Sequence, residues 1–455
     1  MNAGNSLVAA LMLLSSAAVA ADADPYTRAL AAGYKAQFVC SGVFSAGRTP
    51  EAIDRYELAG TQENVAPLLA GLEARIDETA KTVSVTFDPA LPPRIAAWRP
   101  WLGCTGLPIG ATAANLPTLS VSPPQFIRAP DWPYGDVGAE AKPKGNAKAL
   151  AAAIDEAFTK SNTTGVVIVQ RGRIVAEKYA EGFGQHVPQR TWSAAKSMTG
   201  TLIGVAAHKG LIDPAKPAPV PEWQAPGDPR AAITTDNLLR MASGLHSDFA
   251  GNRTDAIYFG GTHVGENVPG QALEAKPGTR FRYANNDTLL AAYGLRAAIG
   301  AKIGEDAKSS AFPFTELFWK IGMTHTFAET DWRGNFILSS QVWSTARDFA
   351  RLGLLYLNDG VWNGERLLPE GWVRYVSTPS GPQPAENDVG YGASFWLMNT
   401  RDDIPKDTFG AFGNRGQFIV IVPSRNIVIV RRGEDHAGTR FDIAGFVASV
   451  LKTLK

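Results

Sequence analysis

One lysine stands inside a run of small and apolar residues, with a serine three positions before it. The segment is Ser193-Ala194-Ala195-Lys196, and from Ser193 to Ala207 Lys196 is the only ionisable residue. A helix with small or apolar residues on nearly every side belongs in a core. Burial penalises a charged ammonium, so the Lys196 pKa is expected to fall from the free value of roughly 10.4. Residues three apart on a helix share a face, which sets the Ser193 hydroxyl beside that amine. A neutral amine next to an alcohol is an arrangement for activating a nucleophile. The start of the helix also leaves backbone N–H groups free to point into a site.

Two further segments carry matching chemistry. Tyr283-Ala284-Asn285 precedes an apolar helix from Leu289 to Ala298. A tyrosine hydroxyl near the lysine can pass a proton between nucleophile and leaving group. An asparagine offers both a donor and an acceptor to a substrate amide, so Asn285 is read as substrate-binding. Asn286 and Asp287 are read as caps of the helix that follows. The third segment is Gly413-Asn414-Arg415-Gly416-Gln417, opening a strand from Gln417 to Val422. Its glycines allow close backbone approach to a ligand, and a main-chain N–H near Gln417 is expected to complete an oxyanion hole. Lys-Thr-Gly occurs nowhere in the chain. Trp192, adjoining Ser193, is expected to wall the pocket. Arg282 and Arg415 are the cations available to anchor a carboxylate.

Two look-alikes have plainer readings. Ser449-Val450-Leu451-Lys452 repeats the serine–lysine spacing, but both residues lie off the apolar stripe of the last helix. Tyr356-Leu357-Asn358 repeats the tyrosine motif, but Tyr356 falls on an apolar stripe with Phe349 and Leu352.

The elements that must hold these residues come from both ends of residues 141–455. An amphipathic helix, Ala147 to Phe158, is followed by a hairpin, Val166–Val169 and Ile174–Ala176, turning at Arg171-Gly172. Strands Gln417–Val422 and Ile427–Val430 and a helix from Ile443 to Leu454 mirror it. Thr345 to Asp348 reads as a capping box for a helix reaching Leu357. The fold class expected is α/β (α+β): one antiparallel sheet flanked by the terminal helices, with a mainly helical insertion at about 197–375. Residues 21–140 form an N-terminal accessory region, with a helix near Pro50–Tyr56 and a strand at Val83–Phe87, which no motif explains.

Composition narrows the function. With 44 basic and 43 acidic residues the net charge is +1, which argues against a nucleic-acid partner or an anionic membrane surface. Leu7 to Leu14 is an apolar core followed by Ala18-Val19-Ala20, so residues 1–20 read as a signal peptide and the protein as exported, periplasmic or secreted. No stable membrane span is expected after its cleavage. The two cysteines, Cys40 and Cys104, are expected to pair in an oxidising compartment, with two buried free thiols as the alternative. Two cysteines and six histidines without metal-ligand spacing give no metal site, and the chemistry needs no cofactor. Oligomeric state is not legible.

Trp192-Ser-Ala-Ala-Lys-Ser197, Ile233 to Leu245, Tyr283-Ala-Asn285 and Gly353 to Gly364 together resemble the serine β-lactamase-like and penicillin-binding-protein-like hydrolases. That group holds class C β-lactamases, D-alanyl-D-alanine carboxypeptidases, family VIII esterases and 6-aminohexanoate-dimer hydrolases. The last is the nearest in flavour, through Gly413–Gln417 in place of Lys-Thr-Gly. The resemblance covers roughly Ala147 to Lys455. It implies that Ser193 attacks, that Lys196 and Tyr283 share the proton transfers, and that an acyl-enzyme is then hydrolysed. The expected activity is cleavage of a small-molecule amide or ester. A D-alanyl-D-alanine peptidase or β-lactamase is the alternative within enzymes. A non-catalytic penicillin-binding-like sensor is the alternative outside them.

Overall fold

The computed structural model describes residues 23–61, 65–118, 130–247, 254–303, 307–385 and 389–455. The proposed signal segment, residues 1–20, lies outside the described residues.

Residues 141–455 are built on a seven-stranded antiparallel sheet. Its strands are β5 (Thr163–Gln170), β6 (Arg173–Tyr179), β7 (Gly390–Tyr391), β8 (Trp396–Leu397), β9 (Phe409–Gly413), β10 (Gln417–Val422) and β11 (Ile427–Gly433), in the order β7-β8-β9-β10-β11-β5-β6. The C-terminal strand β11 pairs with β5, matching Val430 to Val167 and Ile429 to Ile168, so the two ends of the domain meet inside the sheet, one strand in from its β6 edge. All eight residues of β5 are buried. This explains its unbroken apolar run: the strand has no solvent face, so no alternation is required. Val166 and Ile168 face α2 (Ala147–Lys160) and α6 (Ile443–Thr453), together with Leu150, Ile154, Phe446 and Val450. Val167 and Val169 face the opposite layer.

That opposite layer contains α3 (Ala194–His208), α4 (Asn285–Ile303) and α5 (Ala346–Leu357). Thr345 caps α5 by accepting from the Asp348 N–H at 3.1 Å. Every residue of α3 from Ala194 to Ala206 is buried. Its small residues permit this: a Cβ at Gly204 would lie 2.6 Å from the Trp372 ring. The helix therefore fits only where neighbours come almost to its backbone.

The N-terminal region has its own frame. Helix α1 (Pro25–Cys40) packs on an antiparallel four-stranded sheet of β1 (Ala74–Asp77), β2 (Thr82–Val85), β3 (Arg94–Arg99) and β4 (Gly103–Gly106). The end of α1 is joined to β4 by the Cys40–Cys104 disulfide, with Cα atoms 6.1 Å apart. The short helix Pro50–Arg55 and strand β2 fall where the sequence placed them. Helix α1 has no amphipathic signature because Ala31–Ala32 and Ala36–Cys40 are buried on several sides at once. Among the described residues, no helix is long and apolar enough to cross a membrane.

Candidate active site

The chain enters the site through a strained turn. Trp192 has φ +48°, a left-handed conformation that costs a bulky residue on the order of 1–3 kcal/mol. Ser193 follows as the N-cap of α3, at φ −65° and ψ −9°, and its side chain makes no capping bond. The turn thus spends its strain on presenting a hydroxyl that the helix does not use.

Lys196 lies one turn into α3 and is 1% exposed. Burial pushes its amine down to about 7. The Nζ has three neighbours: Ser193 Oγ at 3.2 Å, Asn285 Oδ1 at 2.6 Å and the Ser339 carbonyl at 3.0 Å. A neutral amine has two N–H bonds and one lone pair. The Ser339 carbonyl can only accept, and so can the oxygen of the Asn285 amide, whose Nδ2 donates to Thr254 Oγ1 at 3.1 Å. Both N–H bonds are therefore used, and the lone pair is left facing the Ser193 hydroxyl. Asn285, at 7% exposure, lines the cavity with Ser193 and also orients the lysine, keeping a second Nδ2 N–H beyond its bond to Thr254.

Tyr283 closes the triangle. It arrives on the loop before α4, and its hydroxyl has the Ser193 and Trp396 side chains as hydrogen-bond partners. Burial holds the phenol well above its ordinary value, so it is neutral and able to donate. Its ring packs on Trp396 at 5.1 Å and on Tyr391 at 6.0 Å, and Lys196 Nζ stands 5.1 Å from its centroid. Asp287 does not cap α4. It accepts from Ser243 Oγ at 2.8 Å, and burial pushes its carboxyl up to about 7. It fastens the loop beneath Tyr283 instead.

The glycine segment divides in two. Gly413 ends β9 directly against the nucleophile turn: a Cβ there would lie 3.0 Å from the Ala194 nitrogen and closer still to the Thr191 carbonyl. Only glycine lets the strand come this near. Gly413 and Asn414 line the cavity with Ser193. Arg415, Gly416 and Gln417 turn away from it, contrary to the reading of all five as substrate contacts. Arg415, at φ +56°, is buried and donates to the carbonyls of Tyr56, Glu57, Ala59 and Asp435 at 2.7–3.1 Å, with Glu434 Oε2 at 3.3 Å. It ties the turn to the N-terminal region. A Cβ at Gly416 would strike the Arg431 guanidinium. Gln417 accepts from Arg432 Nε at 2.6 Å inside the sheet. Arg415→Ala is expected to lower stability by roughly 3–5 kcal/mol, because it leaves a buried carboxylate and four carbonyls unmatched. Urea unfolding measures this.

The cavity around Ser193 holds about 410 Å³. Trp192, Trp396 and Phe412 wall it, Tyr34 reaches it from α1, and Asp255 and Arg440 add opposite charges. Arg282 is held outside it by Glu274 and the Ser247 carbonyl, so neither arginine singled out from sequence faces a ligand. Ser339, Thr254, Tyr34 and Arg440 left no readable signal: the first two act through a carbonyl or through Asn285, and the last two sit in segments without a motif. Cys40 and Cys104 are paired. Among the described residues, no group of three or more His, Cys, Asp or Glu is placed to hold a metal ion.

The 6-aminohexanoate-dimer hydrolase of Paenarthrobacter ureafaciens is 24% identical over 311 residues, covering 61% of this chain and 74% of its own. A Bacillus anthracis structure provisionally assigned as a 6-aminohexanoate-dimer hydrolase superposes with a TM-score of 0.55 at 23% identity, over 66% of this chain and 82% of its own. A family VIII carboxylesterase gives 0.53 at 15% identity, over 69% and 98%. These solved structures share the fold, an antiparallel sheet with its helical layer. The family model described as Beta-lactamase matches residues 150–432, which include the serine–lysine turn, the tyrosine loop and the glycine strand end, and the chain belongs to that family of hydrolases.

Proposed function

We propose that this protein is an exported serine hydrolase that cleaves an amide or ester through an acyl-enzyme on Ser193. The observation that carries the reading is the buried Lys196 Nζ 3.2 Å from Ser193 Oγ, with Asn285 Oδ1 and the Ser339 carbonyl placed to accept both N–H bonds of the neutral amine. Lys196 accepts the hydroxyl proton as Oγ attacks the carbonyl carbon. The backbone N–H groups of Ser193 and of Asn414 hold the oxyanion; the donor shifts from the neighbourhood of Gln417 because Gln417 lies inside the sheet. Tyr283 passes a proton to the leaving amine or alcohol. Water, deprotonated by the same pair, then releases the acid and restores the serine.

Tyr283→Phe is expected to lower kcat by roughly 10²–10⁴-fold, the range for loss of a general acid or base. Rates on p-nitrophenyl esters, short linear amides, D-alanyl peptides and β-lactams test the proposal together with this variant. Sustained turnover of an ester or linear amide supports it. A stoichiometric burst without turnover would instead mark a penicillin-binding-like sensor. Arg440 at the cavity rim favours the second enzymatic reading, a peptidase or β-lactamase, because it suits a carboxylate-ended substrate. The disulfide supports export, since such bonds persist in oxidising compartments.

A further inference from the structure

The cavity has a wall that the matched family segment does not supply. Tyr34 lies on α1, more than a hundred residues before the match begins at residue 150 and yet it lines the same cavity as Ser193 and Tyr283. It is 3% exposed. Among the described residues its hydroxyl has no hydrogen-bond partner, and it is not one of the sealed, unpartnered polar atoms, so it opens onto the cavity. Burial holds the phenol above its ordinary value, so it is a neutral donor.

The tyrosine is also firmly held. Its ring packs on Phe38 at 4.5 Å and on Phe259 at 4.6 Å, and Phe38 reaches Trp192, the turn residue before the nucleophile, at 5.9 Å. One turn further along α1, Gln37 donates to the Cys104 carbonyl at 2.7 Å and to Glu329 at 3.0 Å. The Cys40–Cys104 disulfide fixes the helix end. A residue this rigid, with a free donor facing a reaction cavity, is preorganised for a ligand.

We propose that Tyr34 is a substrate-binding residue, and that its hydroxyl donates a hydrogen bond to an oxygen acceptor carried by the substrate beside the scissile carbonyl. This rests on the serine-hydrolase reading above. The N-terminal region is then a specificity element of the active site, setting which acyl or leaving groups fit between α1 and the nucleophile turn.

The test is selectivity in the full-length protein and in Tyr34→Phe, which removes only the hydroxyl. On the acyl side, p-nitrophenyl esters of butyric acid and of succinamic acid are compared. On the leaving side, phenyl butyrate is compared with 4-acetamidophenyl butyrate. Each pair differs by an amide group whose oxygen can accept a hydrogen bond, and its kcat/KM ratio is independent of the active fraction of enzyme. A lost hydrogen bond should lower the ratio by about 3- to 10-fold in one of the two series. Unchanged ratios in both series overturn the inference, as does an equal loss on every ester, which marks a packing role. The parent reading fails separately: wild type that takes no fluorophosphonate label at Ser193 removes both.

Discussion

Ser193→Ala is expected to lower kcat by roughly 10⁶-fold, because nucleophile, base and proton donor act as one unit and the loss of one leaves the others without a task. The fold should survive the change. Ser193 occupies the N-cap of α3 without a capping bond from its side chain, so the usual cost of replacing a cap, on the order of 1 kcal/mol, does not apply. Lys196 keeps its bonds to Asn285 and Ser339. A thermal melt close to wild type, together with lost ester hydrolysis, is the expected pair of results. Hydrolysis near the wild-type rate would mean that the covalent step occurs on another residue.

Lys196 produces the second large effect, in two forms. Lys196→Met keeps much of the side-chain volume but removes the lone pair, and it should be nearly as severe as loss of the serine. The pH profile of the wild type reports the same group without mutation. Burial places the amine near 7, and only its neutral form can accept the serine proton. The active fraction therefore rises with pH: kcat/KM should climb about tenfold per unit below 7 and level off above it. At pH 5 roughly one molecule in a hundred carries the neutral amine. The sign is fixed by the chemistry, since a protonated base is an inactive base. A rate that falls as pH rises from 5 to 8 would show that Lys196 acts as a cation, stabilising charge instead of accepting a proton.

How far the site could be read in advance depends on what each residue does. Ser193, Lys196 and Tyr283 were legible because their chemistry does not suit their surroundings: a lysine in an apolar helix and a tyrosine in a loop have no packing explanation. The terminal strands and helices were legible for the opposite reason. Their apolar patterns, Val166–Val169 and Ile427–Val430 above all, have only a packing explanation. Asn285 was found, but its bond to Lys196 was not foreseen, because an asparagine aimed at a lysine and one aimed at a substrate have the same sequence. Arg415 was misread through its setting. An arginine in a glycine turn looks like surface, and only the fold shows that the N-terminal region supplies carbonyls to bury it. Helix α1 was missed since it is enclosed on several sides and shows no stripe. Its Tyr34 was missed with it.

The scheme needs one particular oxygen to be unusually reactive, and mass spectrometry reads that directly. Wild-type protein treated with a fluorophosphonate should gain one phosphonyl mass on the tryptic peptide containing Ser193, and Ser193→Ala should gain none. A label on a different serine, or sustained ester hydrolysis by protein that takes up no label, would contradict the account.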